Sequence, residues 1–367
     1  MLSFPMGKTR YRDGVCQEAS TPINTPIKEQ VCSFENLYKA MHICKRNVLW
    51  KDSTAGFVKN GLKNCHKLHE ELMDGTYKIS KYSVFIVHEK KTRIITSTRI
   101  RDRVVQRSLC DNYLYKELTR HFIYDNCACL VGKGTDFARN RLKCHLQRHF
   151  RKHGLNGYIL KVDIHDYFGS TPHSVAKAAV AKRVRDEWAR NMVFDIIDSF
   201  DHISKDTGMG LGSQITQLVQ LAVLDDLDHE VKEKMMVKGY VRYMDDFILI
   251  HKDRKHLEKC LDVITIRLKS LGLSINEKKT GIQPITHGVK FLGFSFKLTP
   301  TGKVVMKLLA GKAGNERKRL RKMAGVLTEK HLGECYQSWR SFAEKGNNFR
   351  LLSDMDCYYR RLRNERY

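Results

Sequence analysis

The chain has 367 residues, enough for a sizeable core and two or three subdomains. Its formal net charge of +26 and its pI near 9.6 exceed what solubility requires, so they indicate a polyanionic partner. The sequence contains no apolar run of membrane-spanning length and no apolar leader, and we expect a cytoplasmic protein with no membrane partner. The 11 cysteines are scattered without a C-x-x-C pair, which disfavours a disulfide framework or a zinc site.

The first third of the chain alternates irregular, helical and β-prone segments. Residues 1–30 predict an irregular arm, and apolar periodicity predicts helices over 31–40 and 56–73. Residues 82–87 and 93–96 predict a hairpin whose tip, Lys90-Lys91-Thr92, is basic. Such a tip is usually a solvated loop. A second basic turn, Gly132-Lys133-Gly134, precedes a helical run over 137–151 and is typical of a backbone phosphate site, although its spacing is not that of an ATPase loop.

Two β-prone runs in the middle of the chain carry carboxylates at their ends. Residues 157–164 include Asp163, and residues 239–250 predict a hairpin with Asp245 and Asp246 at its tip. Acids at the ends of apolar strands make poor core, whereas Mg²⁺ is held by one or two carboxylates together with substrate phosphates. A solvated turn is the alternative for the Asp-Asp pair, and a strand-end cap is the alternative for Asp163. Two such strands suit a two-metal site for phosphoryl transfer.

The remaining segments are glycine-rich or basic. Residues 173–202 predict two helices, and Gly208, Gly210 and Gly212 alternate before an amphipathic helix, which implies close approach of the backbone to a ligand. Another amphipathic helix is predicted over 257–271. From residue 303 onward the chain is basic and predicted to be helical. We interpret this segment as one that binds the phosphates of a nucleic-acid duplex. Its aromatic residues are more typical of helix core than of base stacking.

Several of these segments resemble motifs of one enzyme family. Tyr243-Met244-Asp245-Asp246 resembles the YxDD box of reverse transcriptases, and residues 161–168 resemble their first palm motif. Residues 101–106, 208–217, 273–280 and 291–294 resemble further motifs in the family order, so that the resemblance covers about residues 31–297. It is closest to the bacterial enzymes of diversity-generating retroelements and related defence-associated groups. Thr216-Gln217 resembles the end of their G-x-x-x-S-Q motif, with Thr in place of Ser.

The resemblance implies an α+β fold, a right-hand polymerase with an antiparallel palm sheet backed by helices. It implies fingers over 31–155, a palm over 156–300 with an insertion at about 173–205, and a short helical thumb over 301–367. The implied activity is RNA-templated DNA synthesis on a dedicated structured RNA of a retroelement or antiviral defence system, with a DNA or RNA primer, dNTPs and possible help from an accessory protein. The alternatives are an RNA-dependent RNA polymerase and a catalytically silent RNA-binding protein with the same fold.

The resemblance also implies roles for individual residues. Asp163, Asp245 and Asp246 are the implied catalytic residues, and together with Ile164 they would hold two Mg²⁺ ions or Mn²⁺ in their place. The implied nucleotide-binding residues are Lys91, Arg93, Phe168, Gly212, Gln217 and Lys279. The implied primer grip is Phe291, Leu292 and Gly293. The predicted nucleic-acid contacts are Arg103, Lys133, Arg139, Arg317, Lys318, Arg319, Arg321 and Lys322. A bulky Phe168 would exclude a 2′-hydroxyl, or else simply pack the palm, and Lys279 would assist the departing pyrophosphate.

Overall fold

The computed structural model describes residues 25–88, 92–200, 205–210 and 212–365. The side chains of His88, Thr92, Arg93 and Ile94 lie outside this description. The predicted N-terminal arm is therefore described only from Thr25 onward.

Helices make up most of the described chain. In chain order the α-helices are α1 Ile27–Cys32, α2 Phe34–Cys44, α3 Asp52–Lys59, α4 Gly61–Met73, α5 Ile100–Leu109, α6 Tyr115–Thr119, α7 Thr135–His153, α8 Tyr167–Ser170, α9 His173–Arg183, α10 Glu187–Asp198, α11 Gln214–Val223, α12 Asp225–His229, α13 Arg254–Ser270, α14 Lys312–Ala324, α15 Glu329–Ala343 and α16 Phe349–Asn364. Two π-helical turns, Cys110–Leu114 and Glu230–Lys234, follow α5 and α12. Within the described ranges, none of the helices has the length and apolar character needed to cross a membrane.

The strands form three antiparallel sheets. In chain order they are β1 Ser83–His88, β2 Thr92–Ser97, β3 Tyr158–Asp163, β4 Gly239–Tyr243, β5 Asp246–His251, β6 Gly281–Pro284, β7 Val289–Phe291, β8 Phe294–Leu298 and β9 Val304–Leu308. The sheets have the orders β1-β2, β4-β5-β3-β6 and β7-β8-β9. The predicted β1-β2 hairpin, the acidic β4-β5 hairpin and the helix pair α9–α10 are confirmed.

The segment that begins the predicted thumb differs from expectation. Residues 304–308 are strand β9, paired with β8, rather than helix. Val304, Met306 and Leu308 are buried while the residues between them are not, which is the two-residue period of a strand. The helical prediction was wrong here because the basic composition outweighed this alternation. The helices begin at α14.

The central four-stranded sheet is covered on both faces. Side chains at alternating positions, such as Leu160 and Leu249, join the core formed with α9, α10, α11 and α13. Ile159 and Ile248 point to the opposite face and pack with α7 and the β7-β8-β9 sheet. Because successive side chains in a strand point to opposite faces, apolar residues at nearly every position are needed to fill both layers. Both faces of the sheet are therefore covered by other elements.

Two further cores flank the sheet. The N-terminal helices α1, α2 and α4 pack on α5, where Val104 and Val105 join their apolar side chains. At the other end, α14, α15 and α16 enclose a separate core around Leu332, Tyr336 and Met355. The middle of the molecule is thus a sheet, with helical layers before and after it in the chain.

Candidate functional site

The predicted catalytic acids meet at one end of the central sheet. Asp163 is the last residue of β3 and lies directly opposite Asp246, the first residue of β5. Asp245 occupies the turn between β4 and β5, next to Met244, whose φ of 56° lies in the left-handed region. The backbone N–H of Ile164 donates to the Asp245 carbonyl at 3.2 Å, which ties the turn to β3. Directly opposed residues of antiparallel strands have neighbouring side chains, so the structure brings the three acids together.

Two lysines neutralise part of this acidic cluster. The Lys279 Nζ donates to both Asp163 oxygens, at 2.7 and 2.8 Å. The Lys161 Nζ donates to Asp246 Oδ2 at 3.1 Å and to the Lys290 carbonyl at 2.8 Å. The other Asp246 oxygen, Oδ1, is buried and has no hydrogen-bond partner among the described residues. The cluster thus holds more acceptor capacity than its protein partners use.

Burial disfavours the charged forms of Asp245 and Asp246. Burial raises the pKa of Asp246 to about 7, against the attraction of Lys161. Burial also raises the pKa of Asp245, and the neighbouring charge of Asp163 adds to that shift. A raised carboxyl pKa means that the charged form is disfavoured where it stands. Additional positive charge at this end of the sheet would therefore be stabilising.

The residues fit a divalent cation, although they are not preset around one. Among the described residues, no three His, Cys, Asp or Glu side chains already surround a common metal position. Asp163 would first have to exchange Lys279, whose side chain is half exposed, for the ion. The unpartnered Asp246 Oδ1 and the Asp163 oxygens are the hard ligands that Mg²⁺ prefers. The Ile164 side chain is buried, so only its backbone carbonyl is suited to such a contact.

The predicted nucleotide-binding residues flank this end of the sheet. Phe168 is half-buried beside Tyr167 and belongs to the apolar surroundings of Met244. Its carbonyl accepts from the Met209 N–H at 2.7 Å, so the glycine-rich loop lies against it. Gln217, on α11, accepts a hydrogen bond from the Cys129 thiol at 3.3 Å. The structure thus places Phe168 and Gln217 on the same side of the Met244-Asp245 turn.

The β1-β2 hairpin approaches the glycine-rich loop. Gly212 has a φ of 116°, which favours glycine, and a Cβ built there would lie 3.8 Å from the Thr96 carbonyl in β2. Backbone conformation rather than lack of space therefore explains this glycine. The backbone of Arg93 lies in β2, whereas its side chain and the whole of Lys91 lie outside the described residues. Their predicted contacts with nucleotide stay predictions.

The predicted primer grip forms a tight turn between β7 and β8. Phe291 ends β7, and Leu292 and Gly293 both have positive φ, 43° and 89°. A Cβ at Gly293 would lie 2.8 Å from the Lys312 Nζ and 2.9 Å from a ring carbon of Phe342. Both the conformation and the space thus require glycine at this position.

Arg139 contacts the turn at Leu292-Gly293 through a hydrogen bond. Its Nη1 donates to the Leu292 carbonyl at 3.2 Å, and its guanidinium lies 5.1 Å from the Phe294 ring and 5.5 Å from the Phe342 ring. The side chain is only 2% exposed. The prediction that Arg139 contacts nucleic acid directly is therefore wrong for this arrangement. The helical period of α7 turns this arginine inward, where Asp136 also pairs with it.

The other predicted cations differ in accessibility. Lys133 folds back onto its own loop, where its Nζ donates to the Tyr124 and Asn126 carbonyls at 2.7 and 3.0 Å. Arg103 is half-buried on α5. On α14 the exposed cations are Lys318, Arg319, Arg321 and Lys322. The fifth, Arg317, is half-buried with its guanidinium 5.6 Å from the Tyr358 ring. The exposed cations of this helix are thus four side chains, of which Arg319 pairs with Glu316.

Two charged residues that contact Asp246 or the turn that precedes Asp245 were not identified from the sequence. Lys161 lies in the middle of β3 and pairs with Asp246, and Arg242 lies in the middle of β4, where it is fully buried. Both interrupt apolar runs. A charge inside an apolar strand needs a partner, so this interruption was the signal that could have identified them.

Comparison with known proteins adds the following findings. Residues 66–296 match the family model described as reverse transcriptase (RNA-dependent DNA polymerase). The protein P sequences of duck hepatitis B virus, strains Germany/DHBV-3 and China, are each 33% identical over 87 residues, which are 24% of this chain and 10% of those proteins. The apo telomerase of Candida tropicalis has a similar structure, with a TM-score of 0.51 and 10% identity over 71% of this chain and 52% of that chain. The structural likeness concerns the fold alone, and it confirms the predicted fold class.

Proposed function

The chain belongs to the reverse transcriptase family, and from that premise we propose that it is an RNA-directed DNA polymerase. It would extend a DNA or RNA primer with dNTPs on an RNA template. The observation that carries the proposal is the meeting of Asp163, Asp245 and Asp246 at one end of the sheet, inside the segment that matches the family. The match spans only 10% of the length of the curated viral relatives, so the proposal does not include their other activities.

The acidic end of the sheet would bind the reacting groups. Two Mg²⁺ ions, or Mn²⁺ in their place, would activate the primer hydroxyl and neutralise the phosphates when bound. Asp163, Asp245 and Asp246, with the Ile164 carbonyl, would hold them. Lys279, once released from Asp163, would neutralise charge on the departing pyrophosphate. Lys161 would keep Asp246 oriented through its contact with Oδ2.

The surface beside the acids would receive the nucleotide. Phe168 would lie beneath the sugar and exclude a 2′-hydroxyl by its volume. Gly212 would allow close approach of the backbone, and Gln217 would contact the nucleotide or the template base beside it. Lys91 and Arg93, the latter on strand β2, would contact the triphosphate.

The template–primer duplex would lie between the turn at Leu292-Gly293 and the exposed cations of α14. Lys318, Arg319, Arg321 and Lys322 would contact its phosphates, since multiple cations on one helix face suit a polyanion. In this proposal residues 31–155 are fingers, 156–300 palm and 301–367 thumb, the last now including β9. Arg103 and Lys133 would contribute to the template side of the fingers.

The biological template is a finer inference. From the resemblance at Thr216-Gln217 we infer a structured RNA of a retroelement or antiviral defence system, with room for an accessory protein. Sequencing RNA and cDNA that co-purify with the protein tests this, because one enriched RNA with matching cDNA is expected. A random sample of cellular RNA would contradict it.

Primer extension tests the activity itself. Purified protein is given an RNA template and a labelled DNA primer, with dNTPs or rNTPs, in Mg²⁺ and in EDTA. Extension with dNTPs that EDTA abolishes is expected. Preference for rNTPs would instead identify an RNA-dependent RNA polymerase, and tight RNA binding without extension would identify a silent RNA-binding protein; either result overturns the proposal.

A further inference from the structure

Asp228, Tyr240 and Arg242 form a buried trio of polar side chains next to the turn at Met244-Asp245. The Asp228 carboxylate accepts from the Tyr240 hydroxyl at 2.6 Å, from Arg242 Nε at 2.7 Å and from Arg242 Nη2 at 2.6 Å. Arg242 and Asp228 are both 0% exposed. Although burial alone would lower the pKa of Arg242, the charge of Asp228 raises that pKa above its ordinary value. The Arg242 guanidinium therefore keeps its positive charge inside the protein.

The guanidinium reaches beyond its carboxylate to the turn itself. Arg242 Nη1 donates to the Met244 carbonyl at 3.1 Å, and Nη2 donates to the Leu221 carbonyl of α11 at 3.2 Å. Met244 immediately precedes Asp245 and has a φ of 56°, a conformation that non-glycine residues rarely adopt. One arginine thus joins α11, α12 and the residue whose unusual conformation orients Asp245.

The same strand is fixed a second time through its backbone. The Arg242 N–H donates to the Asp125 carbonyl at 3.0 Å, and the Cys127 N–H donates to the Arg242 carbonyl at 3.0 Å. The Asp125 carboxylate in turn accepts from Arg141, His145 and Lys232. Strand β4 is therefore held in place by polar contacts that do not involve Asp163, Asp245 or Asp246.

Core filling alone does not account for these contacts. Apolar side chains of similar volume often replace a buried ion pair without reducing stability, because they avoid the cost of desolvating two charges. A planar guanidinium instead offers several donors in fixed directions. Here one of those donors serves a backbone carbonyl that an apolar side chain could not hold.

We propose that Arg242, oriented by Asp228, is a positioning residue that holds the Met244-Asp245 turn so that Asp245 and Asp246 stay aligned with Asp163. The inference rests on the proposed polymerase function, because alignment of these acids matters only if they take part in chemistry. Arg242 itself does not contact substrate in this arrangement. Its effect on the reaction passes through the carbonyl of Met244.

Single-turnover kinetics separate positioning from folding. Enzyme with a pre-bound RNA template and DNA primer is mixed with saturating dNTP, and the rate constant and amplitude of one nucleotide addition are measured. Asp228→Asn and Arg242→Lys should each lower the rate constant by about 100-fold, the cost of a misplacement on the order of 1 Å. The amplitude, which measures folded enzyme bound to primer, should be retained.

A matched control lies on the same helix. Asp226 pairs with Lys182 at the surface of α12, and it is 68% exposed. Asp226→Asn should leave the rate constant unchanged. If Arg242→Lys extends at the wild-type rate, a fixed guanidinium is unnecessary and the inference fails. If Asp228→Asn lowers only the amplitude, the trio is structural and the inference also fails.

Hydrogen–deuterium exchange tests the positioning without any activity. In Asp228→Asn, the amides of residues 243–247 should exchange at least about tenfold faster than in wild type, since exchange reports local opening. Exchange in α14–α16 should be unchanged. A wild type that cannot extend primers, with faster exchange in the variant, would reject the polymerase function but keep the positioning role. Unchanged exchange at residues 243–247 would reject the positioning role even if the wild type extends primers.

Discussion

The same three side-chain types meet in two parts of this protein. Behind the Met244-Asp245 turn, Asp228 accepts from Tyr240 and Arg242. In the helical C-terminal part, Asp356 accepts from the Tyr336 hydroxyl at 2.5 Å and from Arg340 Nε at 2.9 Å. In both places a phenol and a guanidinium share one carboxylate.

The two trios differ in burial and in what the arginine holds. Arg242 and Asp228 are 0% exposed, whereas Arg340 and Asp356 are 30% and 26% exposed. Arg242 also contacts two backbone carbonyls, one of them that of Met244, whereas Arg340 also pairs with Glu344, the residue that follows its own helix. The first trio therefore fixes a geometry, and the second joins α15 to α16. The same chemistry has a larger effect in the first setting, because burial leaves each partner dependent on the other, whereas water screens the second trio.

The largest expected difference between the trios is in the free energy of unfolding. Asp228→Asn leaves a buried guanidinium without its counter-charge, which costs about 3–5 kcal/mol. Asp356→Asn should cost much less, because solvent reaches both partners. Urea unfolding of the two variants measures the difference. Equal reductions in the free energy of unfolding would show that burial does not separate the trios.

The carboxylates of the two regions should also respond oppositely to pH. Asp246 has a pKa raised to about 7, so its contribution to stability is lost as pH rises from about 4 to about 7, at about 1.4 kcal/mol per unit of pKa difference. A hydrogen bond from Arg340 lowers the pKa of Asp356, so its contribution is present at neutral pH and is lost as pH falls below about 4.

Unfolding measured in EDTA across this pH range tests both signs. Asp246→Asn should remove the decline between pH about 4 and about 7, and Asp356→Asn should remove part of the acid limb. A decline of unchanged slope in Asp246→Asn would mean that the Asp246 carboxyl is not the group responsible.

Sugar selection should depend on the surroundings of Asp163 and not on the C-terminal helices. Phe168→Ala should raise the use of rNTPs relative to dNTPs by about tenfold, since the removed ring opens space for a 2′-hydroxyl. Phe349, an exposed phenylalanine at the start of α16, provides the matched control, and Phe349→Ala should leave the ratio unchanged. Competition between labelled dATP and ATP measures the ratio. A constant ratio in an active Phe168 variant would make this ring a packing residue only.

The smallest expected effect is on the salt dependence of nucleic-acid binding, and it should depend on the exposed cations of α14. Changing Lys318, Arg321 and Lys322 to Gln should lower the slope of log affinity against log salt by roughly 0.9 for each phosphate that is no longer neutralised. The matched control is Lys252, Lys255 and Lys259 to Gln, exposed cations at the start of α13 and just before it. The binding of one RNA–DNA duplex is measured over a salt series. Equal slope changes in both variants would show that net charge, rather than the α14 face, sets the dependence.

The sequence predicted what local patterns encode. The hairpin that carries Asp245 and Asp246 and the strand that ends in Asp163 each combine β-prone runs with a terminal acid, so their positions could be predicted. The metal-dependent chemistry of these acids stays a prediction. Strand β9 was missed because a basic composition hid its two-residue alternation. Predictions for Lys91 and Arg93 stay open.

Contacts between distant segments could not be predicted in this way. Arg139 looked like a surface cation because the pattern of α7 does not reveal which face meets the Leu292 turn. Arg242 and Asp228 are separated along the chain by a π-helical turn, and their pairing follows from tertiary packing. The partner of a buried charge becomes visible only when the fold brings the two segments together.

The catalytic role of the acidic turn can be tested directly with a pair of proteins. Wild type and Asp245→Asn are compared for insertion of one dNTP on an RNA template with a DNA primer, and for affinity toward the same duplex. We predict equal affinity and a rate lower by about a thousandfold in the variant, equivalent to several kcal/mol of transition-state stabilisation. Insertion by Asp245→Asn at a rate close to wild type would contradict the assignment of this turn as the catalytic site.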